Sequence, residues 1–458
     1  AYHVHMHDLD HTDRTDTSAP GYRLHLMSPT WTHSPSGPES SASPASPASP
    51  ESPASPASPS PLSGPHHLWR PLPPRTGELE SLRREQPTRR TGSWTLIEAG
   101  DGVVRLTTDR TRSHHLLFTR AGDTWVISDD PQELRRHAPA WVRDEQAAGV
   151  FLHAGFTPGT RTLAHEVYAT PAGSVVELRP DGTWSCRSWE TYRYDADPIT
   201  SPQEFAGVFR TALDTAVERV LQDTDGRQLL VPLSGGLDSR LLAVWLKRHG
   251  ARNVVTFTYG VPGSTEVAIS RGVAEALGMD WFTVDLDPAE VARIWAGPDG
   301  VGFQKRTWGL TSLPHVQDWY ALLRMRRDAL IDTDAVFLPG HTIVGNMHDE
   351  HLLEGRPSRN DVLAAVARHH SLLQGDRNAW RHLPLLRRAV MQGAQEVSFP
   401  TRRNEDLAGS GRSIQELLEW VNLQERQAKY INESLKAYEA FGYGWALPML
   451  DTELWRTW

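Results

Sequence analysis

Hydrophobic and polar residues alternate from Ser93 to about Trp189, in SWTLIEAGDGVVRLTTD, HHLLFTRAGDTWVISDD and GSVVELRPDGTWSCRSW. The AGDG, AGDT and RPDG turns between these runs are hairpin signals. The stretch therefore predicts a mostly antiparallel β region, with one helix near DEQAAGVFLHAG. After Thr200 the period changes. SPQEFAGVFRTALDTAVERVLQD predicts an amphipathic helix with Ser201 as N-cap and Glu204 three residues later. Strand QLLVPL follows, then a helix from Ser239 to about Arg248, strand NVVTFTYG, helix TEVAISRGVAEALG and strand WFTVDL. A further apolar run, AVFLPG at 335–340, fits the same sheet, and the chain from Pro357 on reads as helices. This order predicts a parallel sheet with right-handed crossovers. The segments are 1–33, 34–65, a β-rich domain over 66–195 and an α/β domain over 196–458.

Composition narrows the picture. The 458 residues carry 47 basic and 56 acidic side chains, a net charge of −9, which argues against a nucleic-acid-gripping surface. A single cysteine, Cys186, excludes an intramolecular disulfide and reads as a small apolar core residue. No run of about 18 apolar residues suggests a membrane span, and the N-terminus lacks a signal-peptide pattern, so a cytoplasmic protein is expected. Residues 34–65, rich in Ser, Pro and Ala, have almost nothing to bury and read as a disordered insertion. His3, His5, His7 and His11 fall in a segment read as a polar, solvated end, with metal binding as the alternative.

The chemistry concentrates at VPLSGGLDSR, where the strand QLLVPL becomes a helix. Gly235 and Gly236 let the backbone approach an anion, Ser234 and Ser239 add hydroxyl donors, and a helix N-terminus favours negative charge. Asp238 would repel a phosphate unless a cation lay between them, which makes it a candidate Mg²⁺ ligand. The Lys and spacing of a Walker A loop are absent.

The hexapeptide SGGLDS is the signature of the PP-loop ATP pyrophosphatases, and its neighbourhood through Tyr259 and Glu266 resembles the asparagine synthase-like family. So does RQAKYINESLKAYEAFGYGWALPMLD, while TLAHEVYATPAGSVVELRPDG is similar to the second half of that family's glutaminase domain. The resemblance implies an α/β chain. Its parts are a C-terminal PP-loop synthetase domain of the adenine nucleotide hydrolase-like kind and, before it, a β-rich α+β domain of the Ntn-glutaminase-like kind. It also implies ATP and Mg²⁺ as cofactors, with Ser234, Gly235, Gly236, Leu237, Asp238 and Ser239 holding the pyrophosphate. At the end of strand NVVTFTYG it implies an adenosine pocket at Thr258 and Tyr259, with a plain buried strand as the alternative.

The implied reaction activates a carboxylate as an acyl-adenylate and releases pyrophosphate. Ammonia or an amine then attacks. A second acidic site is usual in the family. If Gly345 opens its motif, Asp349 and Glu350 supply the acids; if Gly340-His341 does, Val344 stands in the acid's place. Arg426, Lys429 and Lys436 could meet phosphates or a substrate carboxylate, or form a solvated, salt-bridged helix face. Tyr438 and Glu439 could form a general-base pair for the amine. Glutamine-hydrolysing members begin with Cys, whereas residue 1 here is Ala, so a degenerate glutaminase half is expected.

Three readings follow. The first is aspartate amidation in the manner of asparagine synthase. The second is a specialised ligase of the lasso-peptide cyclase or β-lactam synthetase kind. The third is a non-catalytic descendant that binds. A tRNA-modifying PP-loop enzyme fits the charge poorly. The expected partners are a small-molecule or peptide carboxylate with an ammonia or amine donor, no nucleic acid, no membrane, and a second copy of the chain as a homodimer.

Overall fold

The computed structural model describes residues 15–19, 21–34, 62, 64–72, 85–137, 140–194, 199, 201–344, 347, 349–354, 357–370, 373, 383–399 and 411–458. His3, His5, His7, His11, Gly345 and nearly all of the 34–65 segment lie outside the described residues.

The first part of the chain is β-rich. Its strands are β1 (Thr15–Ala19), β2 (Tyr22–Leu26), β3 (Trp31–Ser34), β4 (His66–Trp69), β5 (Thr95–Gly100) and β6 (Val103–Thr108). They continue with β7 (Leu117–Ala121), β8 (Thr124–Ser128), β9 (Val167–Ala169), β10 (Ser174–Leu178) and β11 (Trp184–Ser188). Two sheets result, in the orders β1-β2-β8-β7-β9 and β11-β10-β6-β5-β4-β3. All pairs are antiparallel except β2 with β8. The AGDG hairpin forms as its residues require: Asp101 and Gly102 both adopt positive φ, 52° and 75°, the backbone of a two-residue turn that matches strand twist. Alternation then sorts the side chains. Leu24, Phe118, Trp125, Ile127, Leu106 and Val176 enter a common core, while Leu117 and Val126 face the opposite way.

Two expectations need correction. Residues 21–34 are not a solvated end, because Leu24 and Leu26 of the YRLHL run are buried in that core. Cys186 is exposed on edge strand β11 rather than packed inside. Alternation with Trp184 and Ser188 misleads, since an edge strand has only one partner to cover it. Helices α1 (Pro131–His137) and α2 (Glu145–Ala154) lie in the same region, α2 starting at Asp144, whose carboxylate accepts from the Gln146 and Ala147 N–H groups.

From Ser201 the fold is α/β. Helix α3 (Pro202–Thr224) begins where Ser201 Oγ accepts from Glu204 N. β12 (Leu229–Pro232) leads into α4 (Leu237–Arg248), then β13 (Val254–Gly260), α5 (Thr265–Leu277) and β14 (Asp280–Asp285). Three further helices, α6 (Pro288–Trp295), α7 (Pro298–Thr307) and α8 (Val316–Arg327), precede the short β15 (Val336–Phe337). After α9 (Glu350–Glu354), α10 (Arg359–His369), α11 (Pro384–Glu396) and α12 (Gly411–Val421), residues Asn422–Ile431 form a π-helix. The chain ends with α13 (Leu435–Ala440), β16 (Gly444–Trp445) and α14 (Thr452–Thr457).

The sheet order is β14-β13-β12-β15-β16, and every pair is parallel. Leu229, Leu230 and Val231 are each at most 1% exposed, which is why QLLVPL reads as an unbroken apolar run: helices cover both faces of a parallel sheet. The chain moves outward from β12 through β13 to β14, then returns to add β15 and β16 on the other side of β12. The reversal opens a crevice beyond the carboxyl ends of β12 and β15, where ligands bind in such sheets. Among the described residues, no helix is long and apolar enough to cross a membrane.

Candidate active site

The Ser-Gly-Gly-Leu-Asp-Ser loop leaves β12 at that reversal. Gly236 is the N-cap of α4, with extended φ −73° and ψ 169°, and the free N–H groups of the first turn point into the crevice. Ser239 Oγ accepts from Ser234 N at 3.1 Å and lies 3.1 Å from Ser234 Oγ, which itself accepts from Gly236 N at 3.1 Å. The two serines therefore curl the backbone around an open centre. The loop after β15 closes one side: a Cβ on Gly340 would stand 3.0 Å from Ser239 N, so only glycine lets the two loops touch without displacement.

Two acids lie on this cradle. Asp238 is half-buried, and burial lifts its carboxyl above the ordinary range. Among the described residues no cation pairs with it. Glu266, in the first turn of α5, brings its Oε2 to 3.5 Å from Gly235 N. Two uncompensated carboxylates beside an anion-binding backbone fit a divalent oxygen-loving cation such as Mg²⁺ held between them and a phosphate. Leu237 is 74% exposed and contributes main chain alone.

The remaining expected residues distribute unevenly. Thr258 is buried, and its hydroxyl donates to Leu233 O and Ser270 Oγ, so its side chain braces the loop from beneath rather than facing a ligand. Tyr259 Oη donates to Asp318 Oδ1 at 2.7 Å. Asp349 engages its own neighbours: its Oδ1 accepts from Leu352 N at 3.2 Å and its Oδ2 lies 3.0 Å from His369 Nε2. Burial raises that carboxyl, but the His369 and Leu352 hydrogen bonds outweigh it and hold it below the usual range. Tyr438 stacks on Phe337 at 4.3 Å and is buried, while Glu439 accepts from Lys436 Nζ at 2.8 Å and Trp445 Nε1 at 3.2 Å. The two side chains thus engage different neighbours and form no dyad.

Lys429 is neither a phosphate ligand nor a solvated charge. It is 1% exposed, pairs with Glu425, and donates to Thr157 O at 2.8 Å and Gly159 O at 2.9 Å. Glu425 in turn accepts from Gly159 N at 3.0 Å, so the π-helix grips the loop after α2. Arg426 lies over the Tyr430 ring at 6.0 Å.

A polar cluster that no sequence motif announced lies next to Tyr259. Asp318 Oδ2 is 3.4 Å from His315 Nδ1, whose Nε2 donates to Tyr430 O at 3.1 Å. His341 Nε2 is 3.3 Å from Ser434 Oγ, and burial pushes its imidazole down to about 4. Glu433 is 2% exposed, with Arg112, Lys436 and His315 as its charged neighbours and Oε1 without a hydrogen-bond partner. The only hint in the sequence was the density of polar residues in RQAKYINESLKAYE, which helical spacing alone made look solvated.

Burial raises the Glu433 carboxyl to about 7, against the pull of Lys436 and Arg112. Below pH 4.5 the folded and unfolded chains both hold this proton; between 4.5 and about 7 only the folded chain does. The stability it contributes is therefore present below pH 4.5 and is lost as pH rises through 7, a change of about 3 kcal/mol. Glu433→Gln should flatten this part of the pH profile, measured by urea unfolding at a series of pH values across that window. A profile unchanged by the substitution would refute the assignment.

The described residues form an α/β domain with a Ser-Gly-Gly-Leu-Asp-Ser loop at the reversal of a parallel sheet. Residues 208–301, which contain the cradle and Glu266, match the asparagine synthase family model. Among curated proteins, the 7-cyano-7-deazaguanine synthase of Psychrobacter sp. (strain PRwf-1) is 34% identical over 71 residues, 15% of this chain and 28% of that protein. Its counterpart from Psychrobacter cryohalolentis is 33% identical over 88 residues, 18% of this chain and 34% of that protein. The chain thus spans about a third of the length of the curated relatives it matches. Among solved structures, an NH3-dependent NAD synthetase from Campylobacter jejuni has a TM-score of 0.26 at 13% identity, covering 49% of this chain and 96% of that one. A U34-tRNA thiolase from Methanococcus maripaludis has a TM-score of 0.23 at 15% identity, covering 55% and 86%.

Proposed function

We propose that the chain is an ATP-dependent, AMP-forming carbon–nitrogen ligase that adenylates a carboxylate and passes the acyl group to ammonia or an amine. The observation that carries this reading is the Ser234–Ser239 cradle at the sheet reversal, with Asp238 unpaired beside it. Main-chain N–H groups of the first turn of α4 and the Ser234 hydroxyl hold the β- and γ-phosphates as the bond to the α-phosphate breaks. Asp238 and Glu266 would hold Mg²⁺, which would supply positive charge against the departing pyrophosphate. Tyr259, fixed by Asp318, walls the nucleotide side of the crevice.

The specialised ligase is the second reading, in which Asp318 and Glu433, both buried carboxyls, would face the amine of a larger acceptor. Glu433, poised near neutrality with a free oxygen, has the proton affinity to take the amine's proton before attack. The test is pyrophosphate release from ATP and Mg²⁺ across a panel of carboxylates, each with ammonia, glutamine, an organic amine or none. Release with one acid and an organic amine supports the specialised reading, and release with aspartate and ammonia supports asparagine formation. Absence of ATP binding defeats both.

A further inference from the structure

The outer face of the five-stranded sheet carries a group that the proposed reaction does not use. β2 sends Leu24 and Leu26 into the core, so alternation directs His25 to the other face, yet His25 is only 5% exposed. Helix α1 covers it, anchored by Leu134 against Leu117 and Val126. Glu133 and His137, four residues apart, share one face of that helix. One ligand atom from each of His25, Glu133 and His137 lies within 4.8 Å of the others. The two imidazoles stack at 3.9 Å with planes 5° apart, and His137 Nε2 is 3.2 Å from Glu133 Oε1. Arg136 pairs with the other Glu133 oxygen.

We propose that His25, Glu133 and His137 form a binding site for a Zn²⁺-type divalent transition metal, with the fourth position open to water. Two imidazoles and one carboxylate are the donor set of a borderline cation, distinct from the all-oxygen set at the cradle. Two of the donors stand on one helix and the third on an interior strand paired on both sides. Donors around a tetrahedral Zn²⁺ with bonds of about 2.0–2.2 Å lie roughly 3.3 Å apart, so the group must contract. The His137 side chain, 28% exposed, can turn to do so and also leaves an entry path. Glu133 Oε1 exchanges its contact with His137 for the metal, while Arg136 stays on Oε2 as an outer partner that holds the carboxylate's orientation.

The test uses the full chain with His3, His5, His7 and His11 replaced by Ala, which removes competing imidazoles. Co²⁺ is the probe, read by its visible d–d absorption and by competition with Zn²⁺. One equivalent with a four-coordinate spectrum is expected, and Glu133→Gln and His137→Gln should each weaken it at least tenfold. Pyrophosphate release and circular dichroism should be unchanged in both variants, which separates this site from the cradle. No Co²⁺ bound by the fourfold variant, or binding indifferent to both substitutions, would overturn the proposal.

Discussion

Asp238→Ala is expected to lower Mg²⁺-dependent pyrophosphate release by roughly 10²–10³-fold or more, the scale of losing a group that stabilises transition-state charge. The expectation rests on position. Asp238 lies in the first turn of α4, just after Gly235 and Gly236, and among the described residues no cation pairs with it. The substitution removes a half-buried, unpaired acid, so the fold should hold or gain slightly. Two measurements separate the cases. If release survives with circular dichroism unchanged, the cation is held elsewhere and the cradle assignment fails. Asp238→Asn, which keeps the shape and removes the charge, should behave like the alanine variant.

Lys429→Met is expected to destabilise the protein by about 3–5 kcal/mol, because it leaves the Glu425 charge buried without its partner. Lys429 also supplies two of the hydrogen bonds that hold the Thr157–Gly159 loop to the π-helix. Combining it with Glu425→Gln should recover much of the loss, since the pair's own net worth is small once both charges are gone. Chemical unfolding of the single and double variants checks this. A single variant within about 0.5 kcal/mol of the parent would mean that the pair is hydrated.

The α/β half was legible because its signals are local. Apolar runs, helix caps and the glycine pair act within a few residues, and β12, α4, β13, α5 and β14 follow the expected order. The turn between β12 and α4 was legible for the same reason, since the residues that shape it are six consecutive ones. What sequence could not show depends on partners distant along the chain. Thr258 looked like a ligand until Leu233 and Ser270 claimed its hydroxyl. Lys429 looked solvated because Glu425 sits at helical spacing, but the second partner is a loop 270 residues away. β2 was missed because YRLHL is short and half-polar, and only its pairing with β8 fixes which side is buried. Asp349 fits a motif by spacing, and its partner His369, twenty residues on, was not foreseen from it.

The contacts that join the β-rich part to the last helices bear on how the molecule assembles. Arg112 donates to Ala428 O across 316 residues, Arg110 to Thr452 Oγ1 across 342, and Asn432 Nδ2 to Thr111 O across 321. Closures of that span carry the largest loop entropy and form late. The loop at 234–239 is closed by shorter spans, β12 to α4 and the loop after β15, so it should form before the surroundings of Glu433, which wait for both distant segments to dock. On the proposed function, a refolding chain should regain nucleotide binding before it regains the surroundings of Glu433. Catalytic competence should trail ATP binding in time.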